Sequence, residues 1–534
     1  MSKLMIQPQE QEIEVSPGLS LVEVCEDRDL GVFFGCRQGA CGSCLIAVCP
    51  RSRAGLSAPT EDERVFLDSL GATEDQRLAC QCSVIGDVAI SADPDHVFAA
   101  GRATEEGFLF LSHRGLSFVD DLMAKASALG MKSYVLSSLP SEETPGRAAA
   151  LIAAADWCRV TPSDSLLLDD VLAAIRDLEA QGKRIVGCVS VWEGYRSWMA
   201  EANHALGAPD EAPERIARIL DKHELRSRLY AAGLSHVRSE LIEDEASFDR
   251  VLRASGKRFV KPRRGLASFG AFRLTDKITY ARLQALSQEM RSDTDYREIF
   301  TGKGAQFIAE DYIGGVEMSF EVIAREGAVR VVAIHEKVEV DEAGETTLET
   351  SCVSPPVSAD RAALEEGECF IGACFAELGL RTGCYHVEAK LDPRSGRWEI
   401  IEINPRVGGA FINASTAAQL GGPCLLELWL ETFLPGRALP SNDPTRPIEE
   451  TFFRVYFGEP GREIARVDRS DGDRAPATLR MMVSPGARLP KSSREIFLAQ
   501  ALWRGRPGEL TRNVQEMIRI SKEAIRFQYQ PVTV

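Results

Sequence analysis

The chain has 534 residues, of which 44% are hydrophobic and 26% are charged, as is usual for a globular protein in water. Its length predicts several domains rather than one. The formal net charge of −17 disfavours a general nucleic-acid binder or a protein that binds anionic membranes, and no apolar run is long enough to predict a membrane span.

The first 100 residues are predicted to form a small domain rich in β-structure, because short alternating segments are separated by turn residues. The predicted elements are a strand at 13–15, a short helix at 19–25, a helix at 64–70 that begins with a capping box at Thr60 and Glu63, and a closing strand at 84–90.

Four cysteines of this domain have the spacing of iron–sulfur ligands. Cys36, Cys41 and Cys44 follow the pattern C-x4-C-x2-C, and Cys80 lies further along the chain. This spacing matches the thiolates that hold a plant-type 2Fe–2S cluster, and the glycines between the first three allow backbone N–H groups to face cluster sulfurs. Cys82 is an alternative fourth ligand. A zinc site and an empty, degenerate loop are the other interpretations, although zinc ribbons usually pair two C-x2-C knuckles.

This segment resembles the plant-type ferredoxin family over about residues 1–95. Residues 77–81, Arg-Leu-Ala-Cys-Gln, are similar to that family's fourth-ligand segment, so the resemblance implies that Cys80 rather than Cys82 completes a 2Fe–2S site. Residues 1–100 contain 7 Lys and Arg against 16 Asp and Glu, and so carry −9 of the net charge. An acidic surface suits docking of an electron carrier to a basic redox partner, although a merely solvated surface fits equally well.

The cysteine content also bears on location. Fourteen cysteines in a long chain, four of them at cluster spacing, favour a reducing compartment. Residues 1–15 lack the apolar core of a secretory signal. The expected location is therefore the cytoplasm.

Beyond a predicted linker at 99–101, the sequence alternates between strand-like and helix-like segments. Strands are predicted at 108–111, 133–136 and 184–189, helices at 118–129 and 166–179, and a further helix from Asp221 to about residue 232. Parallel strands that are joined by crossover helices form a wound sheet.

Two segments of the central region suit a nucleotide. Residues 258–262 are typical of a short strand that presents Lys261, and a loop containing Gly and Ser follows at 263–270. The N–H groups of such a loop can face phosphate oxygens while a lysine neutralises their charge, although most such loops are simple turns. Residues 307–317 run from an apolar strand into a Gly-Gly turn, which suits a purine edge and, through Glu317, a ribose hydroxyl. A plain hairpin corner is the alternative.

Two further segments predict a metal site. Residues 384–391 and 398–404 are typical of the strands of a hairpin, which can bring Glu388 close to Glu402. Because alternate residues of a strand share a face, Asn404 lies on the same face as Glu402. Two carboxylates and an amide oxygen suit an Mg²⁺ ion that also holds nucleotide phosphates.

In this order the four segments resemble the ATP-grasp superfamily, in which Glu-Ile-Asn-Pro-Arg, here residues 402–406, is a characteristic string. The resemblance covers roughly residues 105–534 and implies ATP and Mg²⁺ as cofactors. The roles it implies are ATP binding by Lys222, Lys261, Ser268, Glu310, Asp311, Tyr312, Ile313 and Glu317; Mg²⁺ ligation by Glu388, Glu402 and Asn404; catalysis by Arg406 and Lys261; and substrate contact by Glu349, Arg406, Gly408 and Gly409. Loop 263–270, which has fewer glycines than in many relatives, is the candidate lid.

The predicted fold is therefore multidomain. Its parts are a β-grasp ferredoxin-like domain at 1–100, an α/β pre-ATP-grasp domain at 101–215, an α+β ATP-grasp domain at 216–435 and a C-terminal lobe at 436–534. The resemblance implies a ligase that activates a small-molecule carboxylate as an acyl phosphate and joins it to an amine, and a homodimer as in many relatives.

Two other functions remain open. The chain could be an electron-transfer protein whose ATP-grasp part is regulatory, or an ATP-dependent carboxylase, although the sequence contains no biotinyl Met-Lys-Met signal. Because ligation moves no electrons, the cluster of a ligase would have a structural, regulatory or separate electron-transfer role.

Overall fold

The structure is a computed structural model that describes residues 2–7, 11–73, 75–96, 105–116, 118–141, 144, 146–300, 307–342, 346–470 and 475–531. The chain separates into two compact units, Met1–Thr104 and Glu105–Val534. Each unit has hydrophobic core residues of its own. The linker predicted at 99–101 lies outside the described residues.

The first unit is built on a mixed five-stranded sheet. Its elements are β1 Ser2–Gln7, β2 Gln11–Val15, α1 Leu21–Arg28, β3 Leu45–Val48, α2 Glu61–Leu70, β4 Gln76–Leu78 and β5 Val88–Ser91. The strand order is β2-β1-β5-β3-β4, with β1 and β5 parallel and the other neighbours antiparallel. The β-rich domain predicted from the sequence is confirmed.

Two local predictions in this unit need correction. The closing strand begins at Val88 instead of 84, because Val84 forms only an isolated bridge with Leu56. Thr60 caps α2 as predicted, accepting the Glu63 N–H at 3.2 Å. The Glu63 side chain does not return to the cap, because it is buried and accepts hydrogen bonds from the Arg77 guanidinium instead.

The second unit begins with a parallel sheet that has helices between its strands. The elements are β6 Glu106–Ser112, α3 Val119–Ala128, β7 Lys132–Ser137, α4 Arg147–Ala154, β8 Trp157–Val160, α5 Leu168–Ala180, β9 Arg184–Val189 and α6 Arg196–Leu206. Almost every residue of β6 is buried, as is usual for a strand covered on both faces. The order β8-β7-β6-β9 confirms the wound sheet and places its switch point between β6 and β9.

A small antiparallel sheet follows. The elements are α7 Pro213–Ile219, α8 Lys222–Ala231, β10 Ser239–Ile242, α9 Glu245–Arg253, β11 Arg258–Pro262, β12 Phe272–Arg273, α10 Tyr280–Ser292 and β13 Phe307–Asp311. The strand order is β10-β13-β11-β12. Loop 263–271 leaves this sheet between β11 and β12.

The largest sheet has eight strands. The elements of this region are β14 Val316–Arg325, β15 Ala328–Asp341, β16 Leu348–Ser354, α11 Arg361–Leu378, β17 Gly383–Leu391, β18 Trp398–Asn404, α12 Ile412–Leu420, α13 Leu425–Glu431, β19 Glu450–Phe457, β20 Ile464–Arg469, β21 Thr478–Met481, β22 Phe497–Gly505, α14 Val514–Ala524 and β23 Ile525–Tyr529. The sheet order is β18-β17-β14-β15-β16-β19-β22-β21, and β20 pairs with β23.

The two faces of the large sheet differ in chemistry. On β14, Met318, Phe320 and Val322 join a hydrophobic core with α8 and α11. Ser319 and Glu321, which lie between them in the sequence, are buried and polar and lie on the opposite face. This buried polar face carries most of the candidate site. Within the described ranges of the chain, no helix is both long and apolar enough to cross a membrane.

Candidate active site

A cleft separates the small sheet from the polar face of the large sheet. Its lining includes these predicted site residues: Lys222, Lys261, Ser268, Glu310, Asp311, Tyr312, Ile313, Glu317, Glu349, Glu388 and Glu402. Asn404 is joined to the cleft through a 2.8 Å hydrogen bond from its Nδ2 to Glu402 Oε1. Arg406, Gly408 and Gly409 do not line the cleft. Residues far apart in the chain are therefore brought together largely as the motifs predicted.

Two buried lysines enter the cleft from different elements. Lys222 begins α8, and its Nζ lies 2.9 Å from Glu402 Oε2 and 2.9 Å from the Gly265 carbonyl oxygen. Lys261 lies on β11, with its Nζ 2.7 Å from Glu310 Oε2. Burial lowers the pKa of Lys222, but the Glu402, Glu193 and Glu388 carboxylates together outweigh it and the pKa is raised. For Lys261 burial prevails over the attraction of Glu310, and its pKa is lowered.

The β17–β18 hairpin carries the two carboxylates and the amide that were predicted to bind Mg²⁺. Glu388 lies directly opposite Glu402 in the strand register, and His386 lies opposite Asn404. Burial raises the pKa of Glu402, but Lys222 and the hydrogen bond from Asn404 outweigh it and hold the pKa at about 2. The carboxylate is therefore charged at neutral pH. Facing carboxylates with a neighbouring amide fit a hard divalent cation, with Glu388, Glu402 and Asn404 as the residues that would hold it.

A lysine that the sequence analysis missed lies among three carboxylates. Lys337 Nζ is 2.7 Å from Glu317 Oε1 and 3.1 Å from Glu388 Oε1, and it also binds Glu349. Oxygens of the three glutamates lie within 4.8 Å of one another. Burial, with Glu388 and Glu317 nearby, raises the pKa of Glu349 to about 7 although Lys337 opposes it. Glu349 was predicted to contact substrate, and in the structure its carboxylate contacts the Lys337 ammonium.

Residues 310–313, which were predicted to bind ATP, include a side chain that is already paired within the protein. The Glu310 carboxylate is buried and lies 3.1 Å from Arg226 Nε as well as contacting Lys261. Its side chain is therefore occupied by ion pairs, and the Asp311 and Tyr312 N–H groups donate to the Arg238 and Lys257 carbonyls at 3.1 and 3.0 Å. The Tyr312 hydroxyl donates to Glu342 Oε2 at 3.0 Å.

Loop 263–270 has an unusual backbone for its composition. Ala267 and Ser268 have φ angles of 55° and 50°, in the left-handed region that glycine usually occupies. Thr346 Oγ1 donates to the Ser268 carbonyl at 2.8 Å and attaches the loop to the segment just before β16. Strained backbone of this kind often accompanies ligand binding. The shortage of glycines therefore does not prevent the loop from taking left-handed turns.

Arg406 lies beside the cleft and is oriented by the wound sheet. Its Nε donates to Glu193 Oε2 at 3.0 Å, and Glu193 is buried just after β9. Gly408 approaches the β17–β18 hairpin closely, because a Cβ on it would lie 2.6 Å from His386 Nδ1. Gly409 has no such constraint. The sequence analysis assigned no role to Glu193.

Of the cysteines of the first unit, Cys36 and Cys41 are exposed, whereas Cys25, Cys44 and Cys82 are buried. The Gln38 and Ala40 N–H groups donate to Cys36 Sγ at 3.4 and 3.3 Å, and the Cys36 N–H donates to Cys41 Sγ at 3.3 Å. Hydrogen bonding with Ser43 and with Cys36 lowers the pKa of Cys41 to about 6. N–H groups aimed at sulfurs fit an iron–sulfur cluster.

Cys80 and Cys82 differ in surroundings. Gln81 Nε2 lies 3.5 Å from Cys80 Sγ, and Cys80 is partly exposed. Cys82 is only 2% exposed, its thiol donates to the Leu78 carbonyl, and burial raises its pKa to about 12. Burial alone does not separate the two, because the predicted ligand Cys44 is itself only 3% exposed, but the hydrogen bond of the Cys82 thiol to the Leu78 carbonyl favours Cys80 as the fourth ligand.

Replacing Cys80 with serine is expected to remove the cluster, whereas Cys82→Ser is expected to retain it. The reason is that a thiolate must face the cluster, and the Cys82 thiol points into the core. Iron content and visible absorption of the full-length variants measure the effect. Retention in Cys80→Ser together with loss in Cys82→Ser would reverse the assignment.

Comparison with known proteins identifies two domain types in the chain. A model of the 2Fe-2S iron-sulfur cluster binding domain matches residues 4–84, and a model of the ATP-grasp domain matches residues 257–414. The chain carries a ferredoxin domain and an ATP-grasp domain. The first implies a 2Fe–2S cluster, and the second implies ATP and Mg²⁺.

Individual relatives match parts of the chain. Ferredoxin-1 of Aquifex aeolicus is 36% identical over 72 residues, which are 13% of this chain and 74% of that protein. Carnosine synthase 1 of Gallus gallus is 30% identical over 167 residues, or 30% of this chain, and the match spans only 17% of that synthase. The L-amino acid ligase of Bacillus licheniformis has a similar fold, with a TM-score of 0.60 and 18% identity over 80% of this chain and 99% of the ligase.

Proposed function

We propose that the protein is an ADP-forming ligase that joins a carboxylic acid, such as an amino acid, to an amine. The observation that carries the proposal is the cleft in which Glu388 and Glu402 face each other while Lys222 and Lys261 enter beside them. Acidic and basic groups of this number are costly to bury without a charged ligand to organise them. The partial likeness to carnosine synthase supports this class of reaction.

The proposed chemistry overcomes the low reactivity of a carboxylate. Its charge repels nucleophiles, and oxide is a poor leaving group. Transfer of the γ-phosphoryl group of ATP converts the acid into an acyl phosphate and releases ADP. The amine then attacks the acyl carbon, loses a proton and expels inorganic phosphate, giving an amide. Bound Mg²⁺ supplies charge stabilisation for the phosphoryl group.

The residues of the chain have separate tasks in this scheme. Lys222 and Lys261 neutralise phosphate charge, and Glu388, Glu402 and Asn404 hold the cation. Loop 263–270 closes over the nucleotide and excludes water, which would otherwise hydrolyse the acyl phosphate.

Substrate contact is proposed for Glu349, which lines the cleft, and for Arg406, Gly408 and Gly409, which lie outside its lining. Arg406 stabilises negative charge on the acyl phosphate and on the tetrahedral adduct. Glu349, Gly408 and Gly409 border the substrates. Small-molecule acids and amines, a cytoplasmic location and a homodimer remain predictions.

A phosphate-release screen tests the proposal directly. The purified, cluster-loaded protein is incubated with ATP, Mg²⁺ and pairs of amino acids, and products are identified by mass spectrometry. Phosphate release that requires both an acid and an amine is the expected result. Release that requires bicarbonate but no amine would indicate a carboxylase and contradict the ligase.

The cluster is proposed to regulate ligation or to stabilise the first unit. A folded Cys41→Ser protein without cluster is expected to show ligation that no longer responds to redox poise, because the other cysteines cannot hold the iron alone. Ligation is measured at several poised potentials in both proteins. Identical, redox-independent rates in parent and variant would exclude regulation.

If regulation is excluded, electron delivery to a partner becomes the second candidate function. Phe33, which is 72% exposed close in sequence to Cys36, and the acidic surface of the first 100 residues favour docking of a protein there.

A further inference from the structure

A buried carboxylate and a histidine form a pair between β14 and the β17–β18 hairpin, and the proposed reaction does not use this pair. Glu321 on β14 is opposite His386 on β17 in the strand register. His386 Nδ1 lies 2.9 and 3.0 Å from the two carboxylate oxygens of Glu321, and its Nε2 lies 3.2 Å from Glu388 Oε1. The imidazole therefore connects a fully buried carboxylate to a candidate metal ligand.

The Glu321 carboxylate is costly to bury. Its exposed fraction is 0%, and its other close partners are the Ser319 hydroxyl at 2.9 Å and His335 Nδ1 at 3.5 Å. An apolar side chain at such a position would usually stabilise the fold at least as well as a buried ion pair does. The adjacent residues Phe320 and Val322 show that β14 has apolar side chains where the core requires them. The carboxylate therefore indicates a requirement other than stability.

The imidazole ring has little freedom to turn. Gly408 packs against it so closely that a Cβ would lie 2.6 Å from Nδ1 and 3.0 Å from Cε1. The ring is thus held by Glu321 on one side, by Glu388 on another and by the backbone of the loop that carries Arg406.

Glu388 has a competing partner. Its Oε1 is 3.1 Å from Lys337 Nζ as well as 3.2 Å from His386 Nε2. Without the imidazole, the carboxylate would be free to turn fully toward the lysine. Carboxylates that bind metals are commonly oriented by hydrogen bonds from residues behind them. A fixed hydrogen bond from His386 can orient Glu388 in this way.

We propose that Glu321 and His386 act as positioning residues, in which Glu321 fixes the imidazole and His386 fixes the Glu388 carboxylate for the divalent cation. The inference rests on the proposed function, because it assumes the cation site at Glu388 and Glu402. It assigns a role to two side chains that do not touch substrate.

Binding of Mn²⁺ in the presence of ADP tests the role without any need for a substrate acid or amine. Paramagnetic titration of the full-length protein measures free and bound Mn²⁺. Glu321→Gln and His386→Gln are each expected to weaken Mn²⁺ binding by about 10–100-fold, as is usual when a residue that orients a metal ligand is lost. Glutamine preserves the volume of Glu321, and His386→Gln provides the same test if the first variant does not fold.

Ser415→Ala is the matched control. Ser415 is fully buried in the same polar network and lies 2.7 Å from His335 Nε2, but none of its hydrogen bonds reaches Glu388. This variant is expected to change thermal stability while altering Mn²⁺ affinity by less than about threefold, well below the effect of losing an orienting residue. Equal losses of affinity in all three variants, or parent-like affinity in folded Glu321→Gln and His386→Gln, would overturn the proposal.

Glu402→Gln separates failure of this inference from failure of the proposed function. If Glu402→Gln leaves Mn²⁺ affinity unchanged, the cation site itself is wrong and both proposals are overturned. If Glu402→Gln weakens binding while Glu321→Gln and His386→Gln do not, only the positioning role is overturned.

Discussion

Replacement of Glu402 by glutamine is expected to lower amine-dependent phosphate release by at least about a hundredfold, equivalent to about 2.7 kcal/mol of transition-state stabilisation. Glu402 faces Glu388 across the hairpin and binds the Lys222 ammonium, so its loss removes a proposed ligand of the cation and the partner of a lysine that is proposed to bind phosphate. Initial rates at several Mg²⁺ concentrations measure the effect, and added Mg²⁺ is not expected to restore the parent rate.

Glu399→Gln is the matched control for this experiment. Glu399 lies on the same strand, and its carboxylate binds Arg226 Nη1 at 2.6 Å. Its loss should lower thermal stability while Mg²⁺-dependent turnover is retained. A Glu402→Gln protein whose activity stays within a factor of about ten of the parent, or 1.4 kcal/mol, would contradict the metal assignment.

Replacement of Arg406 by alanine is expected to lower kcat by about 10²–10³-fold with little change in the KM for ATP, because a preorganised cation matters most where negative charge develops. The guanidinium is held by buried Glu193, so it is fixed before the substrates bind. Steady-state kinetics with the best pair from the substrate screen give both constants.

Glu193→Gln extends this test to the residue that orients Arg406. The neutral side chain should lower kcat by a smaller factor, since Arg406 is still present but less well held. Thermal unfolding of both variants separates a loss of fold from a loss of chemistry. A large increase in the KM for ATP with unchanged kcat would place Arg406 in nucleotide binding instead.

Much of the candidate site was predictable because its chemistry is concentrated in short strings. Alternate residues of a strand share a face. The sequence therefore already predicts one shared face for Glu402 and Asn404, and another for His386, Glu388 and Lys390 on the neighbouring strand. The hairpin register then confirms that Glu388 and Glu402 are opposite each other. Which ligands these residues bind stays a prediction.

Other residues of the site have no such local signal. Lys337 is one of several charged residues of its strand, Glu193 lies in a short segment after β9, and the contacts of both are with partners distant in the chain. Glu321 could have been noticed, because Glu317, Ser319 and Glu321 alternate with Met318, Phe320 and Val322 along β14. Polar residues at every second position of a buried strand indicate a polar interior face.

The sequence by itself determined the two domain types, the cysteine spacing and the oxygen donors of one hairpin, since each depends on residues close together in the chain. Only the tertiary structure decided that the Glu310 carboxylate is occupied by Arg226 and Lys261, that Cys82 is buried, and that Arg406 is held by Glu193. The physical reason is that burial and ion pairing depend on which strands and helices pack together, and the local sequence does not specify this packing.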